Sequence, residues 1–284
     1  MIIETNRLFL REYKFDDYDA LYEIVSDAET MQHYPAPFDE ERTRGWISWN
    51  LDNYEKYGFG LWAVVLKETD EFIGDCGITI QNIDGEMLPE IGYHIHKNHW
   101  RKGYGKEAAS AVRDWVFENT DYDVIYSYMK YTNVGSYNTA IANGMKKVKE
   151  YPDPKNTISY AYAITREEKK EIMNKFTAYC GLNCETCEAR LATVNNDNEL
   201  RKKVAAEWSK LNQVEILPEM INCEGCRMDG VKTPFCDSLC QIRQCGLSKK
   251  FETCGSCGEL MSCDKVKMII GNNRDALENL RGVV

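Results

Sequence analysis

Histidine is scarce and confined: there are four in 284 residues and none after His99. A metal bound in the second half would therefore have to rely on ligands other than imidazole. Cysteine is nearly missing from the first half, where Cys76 stands alone before residue 180. No apolar run approaches the roughly 20 residues that a membrane-spanning helix requires. Met1-Ile2-Ile3-Glu4 has neither the basic start nor the long apolar stretch of a secretory leader. These absences lead us to expect a cytoplasmic protein with no membrane partner. Internal repeats and low-complexity tracts are also lacking. The dinucleotide fingerprint G-x-G-x-x-G fails because Ala108 stands where a third glycine is needed, and the Walker P-loop spacing fails too.

What is present divides the chain. Its length suits two domains, and 43% hydrophobic residues can supply real cores. The other eleven cysteines all fall between Cys180 and Cys263, which marks a boundary more sharply than any linker. The net charge of −10 is also uneven: residues 1–165 hold 17 Lys and Arg against 27 Asp and Glu, and residues 166–284 hold 18 of each. Such a field disfavours nucleic-acid backbones, so none is expected as a partner, and it favours cationic amines or basic peptides. Solubility accounts for the same charge equally well.

Periodicity predicts a mixed α/β sheet in the first domain. Strands are expected at Leu8–Arg11, Gly60–Leu66, Phe72–Gln81, Glu86–His96, Val124–Met129 and Thr157–Thr165. Asp16-Asp17-Tyr18-Asp19 is expected to cap a first helix, and a second runs from about Asp39 to Tyr57. Further helices follow His99–Ser110 and span Asn133–Asn143, with Tyr151-Pro152-Asp153-Pro154 as a turn. A charged connecting helix (167–178 between domains 1–166 and 179–284) leads to the cysteine-rich part. That part is expected to hold a helix near Asn198–Leu211 and a final one over Lys265–Leu280.

The first domain is organised around His99-Trp100-Arg101-Lys102-Gly103-Tyr104-Gly105-Lys106-Glu107-Ala108. A strand, a glycine-bearing turn and a helix present orphan backbone N–H groups to an anion, and the helix dipole adds partial positive charge. Gly103 and Gly105 permit close approach, while Arg101, Lys102 and Lys106 add formal charge. This pattern predicts a pyrophosphate site.

The run Trp100–Ala108 resembles the pyrophosphate loop of the GNAT acetyltransferases, and most closely the Rim-type branch, whose loop often runs Trp-Gly-Lys-Gly-Tyr-Ala-Thr-Glu-Ala. Thr5-Asn6-Arg7-Leu8-Phe9-Leu10-Arg11 resembles that branch's opening strand. Asn133-x-x-Ser136 followed by Gly144-Met145 resembles its Asn-x-x-Ser helix. The likeness covers roughly residues 1–165. It implies the GNAT acyltransferase fold, acetyl-CoA as cosubstrate, and transfer of acetyl to a primary amine, either a peptide N-terminus or a small amine. It further implies that Tyr93, His94 and Ile95 pair their backbone with pantetheine and that Arg101–Lys106, Tyr104 included, hold the pyrophosphate. Asn133 would bond the pantetheine arm, and Ser136 would bond the cofactor or cap its helix. The helical pair before residue 57 would roof the acceptor, with Phe38, Trp46 and Trp49 as lining or as core.

An ammonium must lose a proton before it can attack a thioester. Glu90 is the candidate base: it shares a strand face with Gly92 and His94 by period two. His94 and His96 are lesser candidates, histidine being the side chain type that ordinarily changes charge near neutral pH. The tyrosine acid of many GNAT enzymes is replaced here by Ala140, which leaves Tyr137 or Ser136 to protonate the thiolate, or solvent. A catalytically lapsed acyl-CoA sensor whose cysteine domain docks a partner is the alternative reading.

In the second domain Cys184-x-x-Cys187, Cys223-x-x-Cys226 and Cys254-x-x-Cys257 have the spacing of paired metal ligands. Cys180, Cys236, Cys240, Cys245 and Cys263 complete the candidate set. The expectation is structural zinc in an all-thiolate environment, with an iron–sulfur cluster, disulfides or a redox role as rivals. The segment resembles a cysteine-rich prokaryotic family of unassigned function (Cys-Gly-Leu-x-Cys-x-x-Cys), which implies zinc binding. The domain would serve acceptor or partner recognition.

Overall fold

The computed structural model describes residues 2–282; Met1 and Val283–Val284, at the outer ends of the two expected domains, lie outside the described residues. The chain divides between Lys169 and Lys170 into two compact units.

The N-terminal unit is built on an eight-stranded sheet. In chain order it contains β1 (Ile3–Glu4), β2 (Leu8–Arg11), α1 (Tyr18–Val25), α2 (Glu40–Tyr57), β3 (Leu61–Leu66), β4 (Phe72–Ile83), β5 (Glu86–Ile95), α3 (Tyr104–Asn119), β6 (Val124–Lys130), α4 (Val134–Ala142), β7 (Lys146–Asp153) and β8 (Thr157–Thr165). The strand order is β1-β2-β3-β4-β5-β6-β8-β7. β5 and β6 are parallel, because α3 carries the chain back across the sheet; the other neighbours are antiparallel.

Helices cover both faces, and alternation along β3 shows how. Leu61 and Ala63 join Leu21, Ile24, Val25, Phe38 and Ile47 of the α1–α2 region in one core cluster. Trp62, between them, points to the opposite face and meets Trp115 of α3 edge-on, with ring centroids 4.9 Å apart. Ala108, Ala109, Val112, Val116 and Phe117 form the buried stripe of α3. Each fully buried valine or phenylalanine of that stripe contributes about 1.5–3 kcal/mol.

Three expectations need correction. The acidic run before α1 does not cap it: Asp17 instead receives Arg11 Nη1 and Nη2 at 2.8 and 2.7 Å, and the backbone N–H of Lys14. The stretch read as a turn at Tyr151–Pro154 is mostly strand, since β7 runs to Asp153. Its charged, non-alternating residues and Pro152 are tolerated because β7 is an edge strand bonded to β8 alone. The hairpin between β4 and β5 is also tighter than expected. Asp84-Gly85, both at positive φ, turn it in two residues, and β4 extends to Ile83.

α5 (Arg166–Phe176) crosses the division between the units. The C-terminal unit continues with α6 (Glu188–Val194), α7 (Asn198–Asn212), α8 (Gln241–Lys249), α9 (Asp264–Asn272) and α10 (Arg274–Gly282). Ala189, Val204, Ala205, Ile221 and Cys223 form one small core. The single final helix expected at Lys265–Leu280 is two helices broken at Asn273, and the short α6 and α8 escaped the sequence reading.

Candidate active site

The sheet opens at its centre. β5 and β6 are registered at the pair Glu90–Tyr126. Further along, the strands diverge, and the Ser127 hydroxyl reaches the Ile91 carbonyl at 3.0 Å. Because the N–H groups of His94 and His96 point toward β4, those of Tyr93 and Ile95 lie on the open edge. The Ile95 carbonyl on that edge already accepts the Trp100 indole N–H at 2.7 Å.

The basic loop follows directly. A single 3-10 turn (Lys97–His99) leads through Trp100 to Gly103, the residue before the first turn of α3, and Gly103 offers no side-chain cap. Arg101 (φ 62°) and Gly103 (φ 81°) are both left-handed. Glycine adopts that conformation freely, but Arg101 is strained there, as non-glycine residues clustered at functional sites often are. A side chain at Gly105 would meet only Ile95 Cγ1, at 3.7 Å, so the fold itself does not demand glycine there. Arg101, Lys102 and Gly103 are exposed, and Tyr104, Gly105 and Lys106 are half-buried.

A brace behind this loop was not legible in the sequence. Glu107, in the first turn of α3, accepts Thr5 Oγ1 (2.6 Å), Arg7 N (2.8 Å) and Arg7 Nε (2.7 Å). Arg7 also donates to the Lys102 carbonyl at 2.9 Å and lies 4.4 Å over the Tyr104 ring. The Thr5-Asn6-Arg7 turn thus fixes the start of α3.

On the α1–α2 face of the sheet, β4 and β5 juxtapose Thr79 with Glu90, Gly77 with Gly92 and Asp75 with His94. The two glycines let other groups approach the sheet closely between the polar pairs. Gly77 has to be glycine, because an added Cβ would sit 2.0 Å from the Gly60 carbonyl. Glu90 leans over Gly92, with Oε2 3.0 Å from where a Cβ would stand. Burial pushes the Glu90 carboxyl up to about 8, against the opposing effect of Thr79 and the Tyr128 N–H. A carboxylate tuned this close to neutrality is suited to exchange protons with an amine.

At the other end, Asp75 is fully buried and receives four donors: His94 N (3.0 Å), His94 Nδ1 (2.7 Å), Tyr13 OH (2.8 Å) and Trp46 Nε1 (3.1 Å). Burial opposes its charge, yet the His94 ring and these hydrogen bonds hold it below the usual carboxylate range. His94 Nε2 lies 2.6 Å from Tyr34 OH. Trp46 therefore anchors Asp75, Phe38 belongs to the core, and Trp49 packs on Trp46 with centroids 5.1 Å apart.

Across the opening stands α4. Asn133 caps it, with Oδ1 accepting the Ser136 N–H at 3.1 Å, so the cap is Asn133 and not Ser136. The Tyr93 hydroxyl donates to the Ser136 carbonyl at 2.9 Å and lies 3.1 Å from Ser136 Oγ. Tyr137 is stacked on Tyr162, at 6.5 Å and 12°, and Ala140 is buried. Arg113 donates to the Asn143 carbonyl at 3.0 Å, tying α4 to α3.

In the C-terminal unit the eleven-cysteine pattern resolves into neighbourhoods. The Cys226 N–H donates to Cys184 Sγ at 3.4 Å, which joins the first two Cys-x-x-Cys pairs. Cys245, Cys254, Cys257 and Cys263 line one cavity. No cysteine is disulfide-bonded. Among the described residues, no three His, Cys, Asp or Glu side chains stand close enough to grip a metal ion. The donor chemistry of the four-cysteine cavity nevertheless fits a soft divalent ion.

Residues 7–146 match the acetyltransferase (GNAT) domain family, and residues 176–268 match a family of unknown function, DUF3795. The Bacillus subtilis protein YnaD, called an uncharacterized N-acetyltransferase, is 33% identical over 59% of this chain and 99% of its own length. YkkB of the same organism is 33% identical over 53% of this chain and 90% of its own. The crystal structure of an acetyltransferase from Agrobacterium tumefaciens superposes with a TM-score of 0.52 at 28% identity, covering 58% of this chain and 94% of that one. With the open sheet and the braced loop, this likeness places the chain, through its N-terminal unit, in the GNAT acetyltransferase family.

Proposed function

We propose that the N-terminal unit transfers acetyl from acetyl-CoA to a primary amine, either a peptide N-terminus or a small cationic amine, by direct attack on the thioester. The observation that carries this reading is the divergence of β5 from β6 beyond Glu90, beside the basic loop that starts α3. Acetyl-CoA, when bound, supplies an activated acyl carbon and a thiolate leaving group. The loop N–H groups from Arg101 to Lys106 would cradle its diphosphate, and the Tyr93–Ile95 edge and Asn133 its pantetheine arm. Glu90 takes a proton from the amine. Tyr137, next to the Ser136–Tyr93 contact, gives one to the departing sulfur. The acidic charge of residues 1–165 supports a cationic acceptor. Calorimetry should show acetyl-CoA binding, and a panel of amines and peptide amides should yield coenzyme A release. Binding with no acceptor consumed would leave a sensor, and no binding would remove the reading.

In the same reading, Cys245, Cys254, Cys257 and Cys263, which line one cavity, draw together on a structural zinc ion whose binding adds to the stability of a unit with small cores, and that unit serves acceptor or partner recognition. Metal analysis of protein purified without added metal is expected to find zinc, with about one ion per chain lost in the Cys254→Ser/Cys257→Ser variant. Iron absorption, or an unchanged zinc content in the variant, would overturn this assignment.

A further inference from the structure

Asp75, His94 and Tyr34 form a chain that the mechanism above does not use. Asp75 Oδ1 holds His94 Nδ1 at 2.7 Å, and His94 Nε2 faces Tyr34 OH at 2.6 Å. An ionised Asp75 fixes the tautomer: Nδ1 carries the hydrogen, so Nε2 accepts from the Tyr34 hydroxyl. Two of the four donors to this buried carboxylate, His94 N and Nδ1, fix the ring so that its other nitrogen meets one tyrosine.

That tyrosine is held in place. Its segment between α1 and α2 is pinned by Met31 and Phe38, both buried, and by Tyr34 N to the Met31 carbonyl at 2.8 Å. Lys97 ties the same segment to the end of β5, with Nζ 2.7 Å from Asp27 Oδ2 and its N–H donating to Thr30 Oγ1 at 3.3 Å. Tyr34 as a residue is 40% exposed, while its hydroxyl turns inward to His94. Glu90 and His94 lie on the same sheet face, separated by the glycine pair Gly77 and Gly92. The titratable groups acting on the Tyr34 hydroxyl are Glu90, Asp75, Tyr128 and Tyr93, besides His94.

We propose that the Tyr34 hydroxyl touches the acceptor amine and relays its first proton to His94, with Asp75 stabilising the resulting imidazolium. This rests on the acetyltransferase reading and deepens it. An ammonium acceptor sheds two protons as the amide forms. The first passes to Tyr34 Oη as Tyr34 releases its own to His94 Nε2. The second goes to Glu90 once the C–N bond has formed and the C–S bond breaks. One proton returns to the departing sulfur through Tyr137, and the other leaves to solvent.

Tyr34→Phe keeps the ring against Phe38 and His94 and removes only the hydroxyl. With butylamine as acceptor at neutral pH, kcat/KM is expected to fall about 100-fold. Acetyl-CoA affinity should stay at its wild-type value, while Tm falls by a few degrees for the lost His94–Tyr34 hydrogen bond. The deficit should shrink steadily as pH rises, and with glycinamide, a weaker base that needs less help to lose its proton. A structural role would slow both amines equally at every pH. If wild type turns over amines and Tyr34→Phe matches it within about two-fold, or is equally slow with both amines, the relay is overturned alone. If wild type releases no coenzyme A with any amine, the acetyltransferase reading fails and the relay falls with it.

Discussion

Replacing Glu90 by glutamine is expected to give an enzyme that is slower and, at neutral and higher pH, more stable. The slower chemistry follows from losing the proton acceptor over the glycine pair; a positioned base is worth about 100-fold or more in kcat/KM. The gain in stability follows from burial, which pushes the carboxyl from its ordinary 4.5 to about 8 in the folded protein. Between those values the native state holds a proton that the unfolded chain has released. The full stability is therefore present below about pH 4.5 and falls as pH rises toward 8. At pH 7 the loss is on the order of 3 kcal/mol. Glutamine has nothing to ionise and escapes it. Urea unfolding of both proteins at pH 5 and pH 8, with coenzyme A release measured alongside, checks both halves. Parallel stability curves for the two proteins, or unchanged rates, would remove Glu90 from the position assigned to it.

The second large effect is expected at Asp75. An asparagine there keeps the shape of the side chain but reverses one of its two ends. Oδ1 serves the His94 N–H and ring, and Oδ2 serves Tyr13 OH and Trp46 Nε1, so an amide NH2 at either position faces a donor. Breaking a buried, charge-assisted network from one side costs about 3–5 kcal/mol. For a domain of this size that corresponds to a Tm lower by roughly 10 °C. Scanning calorimetry of the full chain reads this directly, and a shift under about 2 °C would mean that the network is not cooperative. The same substitution removes the anion behind His94, so losses of rate and stability are expected together. In Glu90→Gln they move in opposite directions.

Much of the N-terminal unit was legible because its signals are local. Alternation gave β2, β3, β4, β5, β6 and β8 to within a residue or two at most ends, and the glycine-bearing basic run marked the start of α3. β7 was missed because an edge strand needs neither alternation nor a free N–H at Pro152, and Lys146–Asp153 has the composition of a loop. Of the proposed site, the loop and Glu90 are readable from spacing, but the Asp75–His94–Tyr34 chain is not. Its members come from β4, β5 and the α1–α2 connection, and only the fold brings them together. One signal was available: Asp75 is a lone charge in the apolar run Ile73–Ile80, which asks for a buried partner. Tyr34 was visible only as the residue before Pro35, where the sequence advertises a helix break. The cysteine-rich unit was legible as composition. The sequence could not say which cysteines are neighbours, because eleven similar side chains carry no register.

The parting of β5 and β6 places a strand edge in the middle of a sheet, where an unguarded row of peptide groups would invite a strand from another molecule. Two carbonyls of that row are already occupied: Ile91 by a serine hydroxyl and Ile95 by an indole. Those side chains act as stoppers at two positions of the edge. A ligand bonding to the Ile95 carbonyl would have to compete with the Trp100 indole for it.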